Sequence, residues 1–326
     1  MNSEAVFSPK DADEPEISVV IATRRRETRL AFALESLAAQ TLAPARYEVI
    51  VVRDGDACEP FAGAPAGLGV RFLTRPGVAG PSAKRNVGWR DARAAIVAFT
   101  DDDCRAHPDW LKAILDASGQ GVAVVQGRTK PDPDEESLLH GFARSQRITA
   151  LSGWFETCNM AYSRNLLERL DGFDETIPFG GEDTDLGYRA LRAGARVDYV
   201  ERALVWHAVM SRTIPRALRE AAGWREFPAV VAKHPSVRRS LYLRMFWRPA
   251  HAKLPLAAFG LFVGRHNPAL GVLFLLPYLE LRVGRRHARA RRIVRRLAAL
   301  PIWVAIDATE IASRLPAALR HRVLVI

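Results

Sequence analysis

The sequence is poor in cysteine, with three in 326 residues. Cys58, Cys104 and Cys158 are far apart, and none belongs to a Cys-x-x-Cys pair. This scarcity argues against a disulfide framework and against a cysteine-based zinc site. It favours a protein that works in a reducing compartment.

Targeting signals and two common nucleotide-binding signatures are also missing. Residues 1–16 are polar and acidic, without the basic start and apolar run of a signal peptide, so we expect a disordered leader on a cytoplasmic protein. The first apolar run is not followed by Gly-x-Gly-x-x-Gly, which argues against a dinucleotide-binding fold. A Gly-x-x-x-x-Gly-Lys-Ser/Thr segment is absent too, which argues against a P-loop.

Acidic residues are scarce in the last third of the sequence. Residues 211–326 hold 22 Lys and Arg against 5 Asp and Glu, a net charge of +17, whereas residues 1–210 hold 25 against 31, a net charge of −6. A nucleic-acid-binding protein would carry its basic patch on a recognisable recognition module. Basic residues mixed with apolar runs instead indicate an anionic membrane surface as the partner.

The first half of the sequence alternates apolar, β-branched runs with stretches of helical spacing. Strands are predicted at residues 17–22, 48–52, 70–73 and 95–100. Such alternation predicts an α/β fold with a mostly parallel central sheet flanked by helices. Ligands of these sheets bind beyond the carboxyl ends of the strands, which is where Thr23, Asp54 and the aspartates 101–103 fall.

Two acidic clusters could carry chemistry. Residues 101–103 are three aspartates, and paired carboxylates at a strand end can hold a hard divalent cation, although such residues are also common in turns. Glu182, Asp183 and Asp185 lie at the predicted start of a helix. Carboxylates in a first helical turn also interact favourably with the helix dipole, without any catalytic function. The residue types alone leave both interpretations open.

Seven short segments between residues 17 and 189 form a longer pattern. They are residues 17–23 (ISVVIAT), 51–56 (VVRDGD), 80–88 (GPSAKRNVG), 99–103 (FTDDD), 159–162 (NMAY), 172–175 (GFDE) and 181–189 (GEDTDLGYR). In this order and spacing they resemble glycosyltransferase family 2 of the GT-A type. The resemblance covers residues 17 to about 207. It implies a GT-A fold (Rossmann-like) and a nucleotide-diphosphate-sugar donor.

The resemblance implies how the donor is held. It assigns six residues to donor or nucleotide binding: Thr23, Asp54, Lys84, Arg85, Asp101 and Asp102. Thr23 and Asp54 would lie against the nucleoside, with Asp54 accepting a hydrogen bond from a base N–H. Lys84 and Arg85 belong to the loop and helix start that approach the nucleotide.

The resemblance also implies a divalent cation, Mg²⁺ or Mn²⁺. Asp103 matches its direct ligand and Asp101 a residue near the ribose and the metal, while His207 matches a residue that can reach the metal but equally suits a structural histidine. Asp183 matches the catalytic base, with Glu182 as its neighbour. The cation stabilises the leaving diphosphate and the base takes the acceptor proton, so a single in-line displacement with inversion is expected.

The sequence departs from the family pattern at two places. Arg53 stands where the family usually has an acidic residue, and residues 24–26 are Arg-Arg-Arg in place of Tyr-Asn-Arg. The first departure bears on the nucleoside contacts, and neither touches the metal or the base. Within a predicted strand at residues 154–162, Trp154 could stack on an acceptor sugar, with Asn159 as a further acceptor candidate, although buried aromatic residues usually belong to the core.

The last third of the sequence mixes basic helices with apolar runs. Helices are predicted at residues 214–227 and 236–247. The apolar runs 254–263 and 269–281 are shorter than the ~20 residues of a membrane-spanning helix. Residues 282–296 then hold eight arginines and no acidic residue. This pattern predicts in-plane or re-entrant membrane attachment, the alternative being a helical subdomain packed on the catalytic domain.

We therefore predict a leader at residues 1–16, a GT-A domain at residues 17–210 and a basic helical extension at residues 211–326. The predicted function is sugar transfer to a hydroxyl acceptor on a lipid-linked or cell-envelope glycan, at the inner face of the cell membrane and without a nucleic-acid partner. Two alternatives stay open. One is a sugar nucleotidyltransferase, which would release pyrophosphate rather than a nucleoside diphosphate; the other is a non-catalytic lipid- or nucleic-acid-binding protein with a degenerate core.

Overall fold

The chain forms two compact units. The computed structural model describes residues 14–24, 26–55, 61, 63–77, 80–139, 142–177, 180–284 and 290–326, with the backbone alone for 290–292. Most of the predicted leader, Arg25 and residues 285–289 of the polybasic segment therefore lie outside the described residues. The N-terminal unit comprises Met1–Leu139, Ser145–Thr176 and Glu182–Met210, and the C-terminal unit comprises His140–Arg144, Ile177–Gly181 and Ser211–Ile326.

Eight strands in the described part of the N-terminal unit form one mixed sheet. They are β1 Ile17–Thr23, β2 Tyr47–Asp54, β3 Val70–Arg75, β4 Ile96–Asp101, β5 Cys104–Ala106, β6 Val124–Pro131, β7 Asn159–Ser163 and β8 Val197–His207. Their order across the sheet is β3-β2-β1-β4-β7-β6-β8-β5. The pairs among β1 to β4 and the β6–β8 pair are parallel, whereas β7 and β5 run antiparallel to their neighbours. The predicted α/β class with a mostly parallel sheet is confirmed.

Helices cover both faces of this sheet. They are α1 Glu27–Ala38, α2 Pro81–Asp91, α3 Trp110–Gly119, α4 Arg164–Leu170 and α5 Glu182–Arg192. The apolar faces of α1 and α3 bury residues such as Leu34 and Trp110 in the core beside Val19. On the opposite face, α2 lies so close to β1 that a Cβ atom at Gly88 would be 2.4 Å from Val20 Cγ1. Only glycine fits there, and α2 is thereby held against the sheet.

The parallel register brings the predicted site residues to one edge of the sheet. Thr23 pairs with Arg53 across β1 and β2, and Ala22 pairs with Asp101 across β1 and β4. The strand predicted at residues 154–162 begins only at Asn159. Phe155 has φ +57°, a left-handed conformation that interrupts an extended chain.

The C-terminal unit is helical in its described residues. Its helices are α6 Ile214–Gly223, α7 Phe227–Lys233, α8 Pro249–Val263, α9 Pro268–Arg282 and α10 Ala290–Arg320. The helix predicted at residues 236–247 is wrong, because a 3-10 turn at Pro235–Ser240 is followed by Leu243 and Arg244 with φ of 51° and 59°. Left-handed residues of this kind do not continue a right-handed helix.

Packing within the C-terminal unit centres on α10. Ile306 of α10 packs with the buried Ala217 and Ala221 of α6. Asp307 of α10 accepts a hydrogen bond from the Tyr278 hydroxyl of α9 at 2.7 Å and pairs with Arg282. None of the helices described combines the length and apolar composition that crossing a lipid bilayer requires.

Candidate functional site

A buried ammonium group ties the ends of β1 and β2 to α2. Lys84 Nζ donates to the Thr23 carbonyl oxygen at 3.2 Å and lies 3.1 Å from Asp54 Oδ1. The Lys84 side chain is buried because the first turns of α2 face the sheet edge. Arg24 Nε lies 3.5 Å from the second Asp54 oxygen. The structure thus brings Thr23, Asp54 and Lys84 together in one polar group.

The departure at Arg53 has a local structural explanation. Its guanidinium lies over the Phe61 and Phe72 rings, with the central carbon 5.0 and 4.9 Å from the two ring centroids. Such cation–π contacts stabilise a charge that is partly removed from water. Arg53 therefore packs on β3, while its neighbour Asp54 contacts Lys84.

The three aspartates after β4 have different surroundings. The Asp101 side chain is 30% exposed, whereas those of Asp102 and Asp103 are 5% and 8% exposed. Asp102 accepts a hydrogen bond from Thr23 Oγ1 at 2.6 Å. Burial raises the pKa of Asp102 above its ordinary value, although the Arg26 charge opposes the shift. The buried Asp102 carboxylate thus links the end of β1 to the residues that follow β4. Asp101 is the more accessible carboxylate.

Arg26 is a site residue that the sequence pattern does not single out. Its Nη1 donates to Asp103 Oδ2 at 2.6 Å and to Asp102 Oδ1 at 3.0 Å. Burial alone would lower the pKa of Arg26, but the two carboxylates raise it above its ordinary value. The signal that could have found it is the basic cluster at the carboxyl end of the first strand, where ligands of such sheets bind.

Arg85 joins the two acidic clusters. Its Nη2 donates to Asp101 Oδ1 at 3.0 Å, and its Nη1 donates to Glu182 Oε1 at 3.2 Å. Burial alone would lower the pKa of this guanidinium, but the charges of Asp101, Glu182 and Asp183 raise it. A buried arginine of this kind is stabilised because a carboxylate on each side accepts a hydrogen bond from one of its two terminal nitrogens. The end of β4 and the start of α5 therefore border a single site.

Asp183 has the electrostatic character of a general base. Burial raises its pKa well above the ordinary value, and the neighbouring Glu182 and Glu156 carboxylates raise it further. Arg85 and a 2.8 Å hydrogen bond from the Thr184 N–H to Asp183 Oδ1 oppose the shift. A carboxylate whose pKa is raised accepts a proton more readily at neutral pH.

Strand β8 brings His207 close to the aspartates 101–103. In the β5–β8 pairing Cys104 lies opposite His207, and the Ala208 N–H donates to the Asp103 carbonyl oxygen at 2.8 Å. His207 Nε2 lies 3.7 Å from Asp103 Oδ1. His207 Nδ1 lies 2.8 Å from the Ala208 carbonyl oxygen, which can only accept a hydrogen bond. Nδ1 therefore donates to this oxygen, and Nε2 is the ring nitrogen that faces Asp103.

This donor set fits a divalent cation. Ligand atoms of Asp103, Cys104 and His207 lie within 4.8 Å of one another. Carboxylate oxygens suit Mg²⁺ and Mn²⁺, and histidine nitrogen is a common ligand of transition metals. Burial raises the pKa of the Cys104 thiol well above its ordinary value, so the thiol stays protonated and is a poor ligand. Asp103 and His207 are the residues that could hold the ion, with Asp101 on the same strand end.

Asn159 does not belong to this group. Its Nδ2 donates to the backbone carbonyl oxygens of Arg128 and Ala203, and its Oδ1 accepts from Trp110 Nε1 at 2.8 Å. The side chain is 1% exposed. Asn159 holds the sheet and α3 together, and this burial is incompatible with the predicted contact to an acceptor.

Trp154 and Glu156 lie on the segment before β7 that approaches α5. The Trp154 carbonyl oxygen accepts a hydrogen bond from Thr184 Oγ1 at 2.8 Å, next to Asp183, while its side chain is half-buried. Glu156 accepts from Gln126 Nε2 at 2.8 Å, and its charge raises the pKa of Asp183. Glu156 is another site residue that the sequence pattern does not single out, because it belongs to none of the seven segments.

Comparison with known sequences identifies relatives of this chain, and the matched residues include both acidic clusters. Residues 18–171 match the family model "Glycosyl transferase family 2", and residues 96–283 match "Glycosyl transferase family group 2". The sequence is 30% identical over 217 residues to the pre-mycofactocin glycosyltransferase of Mycobacterium tuberculosis, covering 61% of this chain and 44% of that protein. It is 27% identical over 210 residues to glycosyltransferase AglE of Haloferax volcanii, covering 59% and 67%. The chain thus spans less than half the length of the first of these relatives.

Solved structures share the fold. The mannosyltransferase PcManGT from Pyrobaculum calidifontis, in complex with GDP-Man and Mn²⁺, matches with a TM-score of 0.57 at 19% identity, covering 94% of this chain and 88% of that one. S. aureus TarS 1–349, in complex with UDP-GlcNAc, matches with a TM-score of 0.51 at 16% identity, covering 94% and 92%. These likenesses confirm the predicted GT-A fold.

Proposed function

This chain belongs to glycosyl transferase family 2, and from that premise we propose that it transfers a sugar from a nucleotide-diphosphate donor to a hydroxyl acceptor with inversion at the anomeric carbon. The observation that carries the proposal is the Arg85 bridge between Asp101 and Glu182. The donor side and the base side of the reaction need to meet at the reacting carbon. A guanidinium that contacts both acidic clusters supports that arrangement, because Asp183 directly follows Glu182.

In this proposal the nucleoside lies at the ends of β1 and β2. Asp54 accepts a hydrogen bond from a base N–H, and Thr23 lies beside it, with Lys84 compensating the Asp54 charge. The complexes of PcManGT with GDP-Man and of TarS with UDP-GlcNAc support a nucleotide-sugar donor.

The departing diphosphate needs positive charge around it. Arg26 and Arg85 supply two guanidinium groups at the edge where Asp101 and Asp103 lie. A divalent cation held by Asp103 and His207, with Asp101 nearby, would supply Lewis-acid stabilisation of the leaving group. Arg26 contacts Asp103, so we expect its guanidinium to move towards the diphosphate when the donor is bound.

Asp183 acts as the base in the proposed reaction. It takes the proton of the acceptor hydroxyl, the oxygen forms a bond to the anomeric carbon, and the bond from that carbon to the diphosphate breaks on the opposite side. A base on the face opposite the leaving group produces inversion. Glu182 stays paired with Arg85, and Trp154 is the candidate for contact with the acceptor sugar.

The acceptor is proposed to be a hydroxyl group of a lipid-linked or cell-envelope glycan. The support is the basic and apolar character of the C-terminal unit, since residues 211–326 carry a net charge of +17. Anionic lipids attract such segments. We therefore propose that the reaction takes place at the inner face of the cell membrane.

The test of the donor class is thermal stabilisation by a panel of nucleoside diphosphates, each with and without Mn²⁺. A ligand that binds the folded state raises the melting temperature in proportion to its affinity and concentration. We expect one base to stabilise the protein more than the others, and to do so mainly with the metal present. Equal, metal-independent effects of all bases would contradict the proposal.

The reaction product separates sugar transfer from nucleotidyl transfer. Incubation with the selected nucleotide sugar should release the nucleoside diphosphate as the sugar passes to an acceptor or, slowly, to water. Release of pyrophosphate from a nucleoside triphosphate and a sugar 1-phosphate would instead identify a sugar nucleotidyltransferase.

A further inference from the structure

The helices α8 and α9 of the C-terminal unit are in direct backbone contact. A Cβ atom at Gly271 would lie 2.6 Å from the Gly264 Cα atom, and one at Gly260 would lie 2.9 Å from the Gly271 carbonyl oxygen. Gly260 and Gly264 have the Gly-x-x-x-Gly spacing that allows two helices to approach this closely. Along the rest of the pair, Leu254 and Ala257 of α8 pack with Leu275 and Tyr278 of α9.

Many of the large apolar side chains of these helices face outward. Nine of them are between 37% and 64% exposed: Leu256, Phe259, Leu261, Phe262, Leu270, Val272, Leu273, Leu276 and Leu281. Monomeric soluble proteins rarely leave contiguous apolar surfaces of this kind in water. A helix that is apolar on most of its circumference is normally surrounded by protein or by lipid.

The charges around the α8–α9 pair have one dominant sign. Residues 249–296 contain ten Lys and Arg and a single acidic residue, Glu280. Arg265 lies in the turn between the helices, and Lys253 and Arg282 lie towards the opposite ends of α8 and α9. Apolar side chains bordered by lysine and arginine match the chemistry of an anionic bilayer, in which acyl chains lie beneath negative head groups.

We propose that the α8–α9 pair is a docking surface for an anionic lipid bilayer and inserts into one leaflet. Each helix has 15 residues, or about 22 Å at ~1.5 Å per residue, which is less than the ~30 Å of a hydrocarbon core. The exposed phenylalanine and leucine side chains enter the acyl region, while Lys253 and Arg265 remain at the level of the phosphates.

This inference extends the membrane part of the proposed function and does not depend on sugar transfer. Its test is a binding measurement without donor or acceptor, so its failure and the failure of the catalytic proposal are distinguishable. The full chain is centrifuged with vesicles of phosphatidylcholine alone, or of phosphatidylcholine mixed with phosphatidylglycerol, and the bound fraction is measured.

The informative variant is Phe262→Ser combined with Leu273→Ser, because both side chains are more than 60% exposed and their loss leaves the glycine contacts intact. The matched control is Phe32→Ser combined with Leu191→Ser, two apolar side chains of the N-terminal unit that are 42% and 43% exposed. Unchanged melting temperatures verify that both variants are folded.

We expect wild type and the control variant to bind the phosphatidylglycerol vesicles, less strongly as salt is raised. Phe262→Ser/Leu273→Ser should partition about tenfold or more weakly, because two apolar side chains no longer enter the acyl region. Equal binding by this folded variant would overturn the proposal. So would absent vesicle binding by wild type, or a dimer in solution that the same two substitutions dissociate, because a second copy would then cover the surface.

Discussion

Two buried arginines show how differently the two units use charge. Arg85 in the N-terminal unit contacts carboxylates of two separate elements, and their charges raise its pKa. Arg314 in the C-terminal unit donates to the Glu310 backbone carbonyl at 2.7 Å and lies over the Trp247 ring. Burial lowers the pKa of Arg314 to about 10, although the Glu310 charge opposes the shift.

The difference shows where reactive groups are to be sought. In the N-terminal unit, buried charges converge from several strands and helices on one edge of the sheet, and Asp183 keeps an unfavourable charge there. In the C-terminal unit, the buried charges join helices, as Asp307 does with Tyr278 and Arg282. Buried charges that converge on one edge of the sheet and shift each other's pKa mark the candidate active site, whereas those of the C-terminal unit hold its helices together.

The largest effect is expected from removing one buried carboxylate in each unit. Asp183→Asn should lower the transfer rate by about 10³-fold, because proton removal by a positioned base contributes ~10²–10⁴. Donor affinity and melting temperature should be nearly unchanged. Asp307→Asn should instead lower the melting temperature, since it leaves Arg282 without its charged partner.

Transfer rates and nucleotide titrations of the two variants check this contrast. The exposed Asp198→Asn serves as a control for the loss of a carboxylate. If Asp183→Asn lost donor affinity as severely as it lost rate, its assignment as the base would be refuted.

Replacing Arg85 and Arg314 by methionine compares how much each buried arginine contributes to the stability of its unit. Arg85→Met should reduce the free energy of unfolding by roughly 3–5 kcal/mol, because the buried Glu182 carboxylate, and with it the partly exposed Asp101, would lose its charged partner. Arg314→Met should cost no more than about 1 kcal/mol, since it removes a charge that burial already disfavours and keeps an apolar stem in place. Urea unfolding of both variants measures the difference. Equal losses would show that the two units do not differ in this way.

A smaller effect is expected at His207. His207→Ala should weaken Mn²⁺ affinity by about 10–100-fold, the range seen when a group that supports a metal site is removed. Stabilisation by a nucleoside diphosphate without metal should persist. His107→Ala provides the control, because His107 is a partly exposed histidine whose ring contacts Trp206. Unaltered metal dependence in His207→Ala would assign His207 to structure alone.

The smallest effect concerns the pH dependence of stability. The folded-state pKa of Asp183 is raised, so the folded protein binds this proton more tightly than the unfolded chain does. Stability is therefore lost as the pH rises from the ordinary value of 3.8 to the folded-state pKa, so Asp183→Asn should be slightly more stable than wild type at neutral pH. The advantage should vanish below 3.8, where the carboxyl is protonated in both states. A variant that is less stable than wild type at neutral pH would contradict the raised pKa.

The arrangement of strands and the edge that carries the site could be predicted from the sequence. Four apolar runs with polar residues at their carboxyl ends fix the parallel half of the sheet, because parallel strands end at the same edge. The link between Asp101 and Glu182 could not be predicted, because it depends on Arg85, which is 97 residues from Glu182 in the sequence. Arg85 reaches Glu182 only when α2 packs against β1.

Other contacts depend on geometry that no local pattern encodes. Asn159 belongs to a recognisable segment, yet the register of β7 turns its amide into the core. Gly172 and Asn86 lie in different segments, and they meet because Asn86 bonds both backbone groups of Phe173. The exposure of the α8–α9 surface follows from the glycine contacts, which require the two helices to be seen together.

The central claim is that the metal-binding residues and the base border one site. It is tested most directly by the amide NMR spectrum of the protein with a nucleoside diphosphate and substoichiometric Mn²⁺, compared with Mg²⁺. We predict that the paramagnetic ion broadens the amide signals of Ala208, beside Asp103, and Thr184, beside Asp183, together. Gly119 should stay sharp, because the end of α3 leads into the start of β6 at the opposite edge of the sheet. Broadening of Ala208 without Thr184 would contradict the claim.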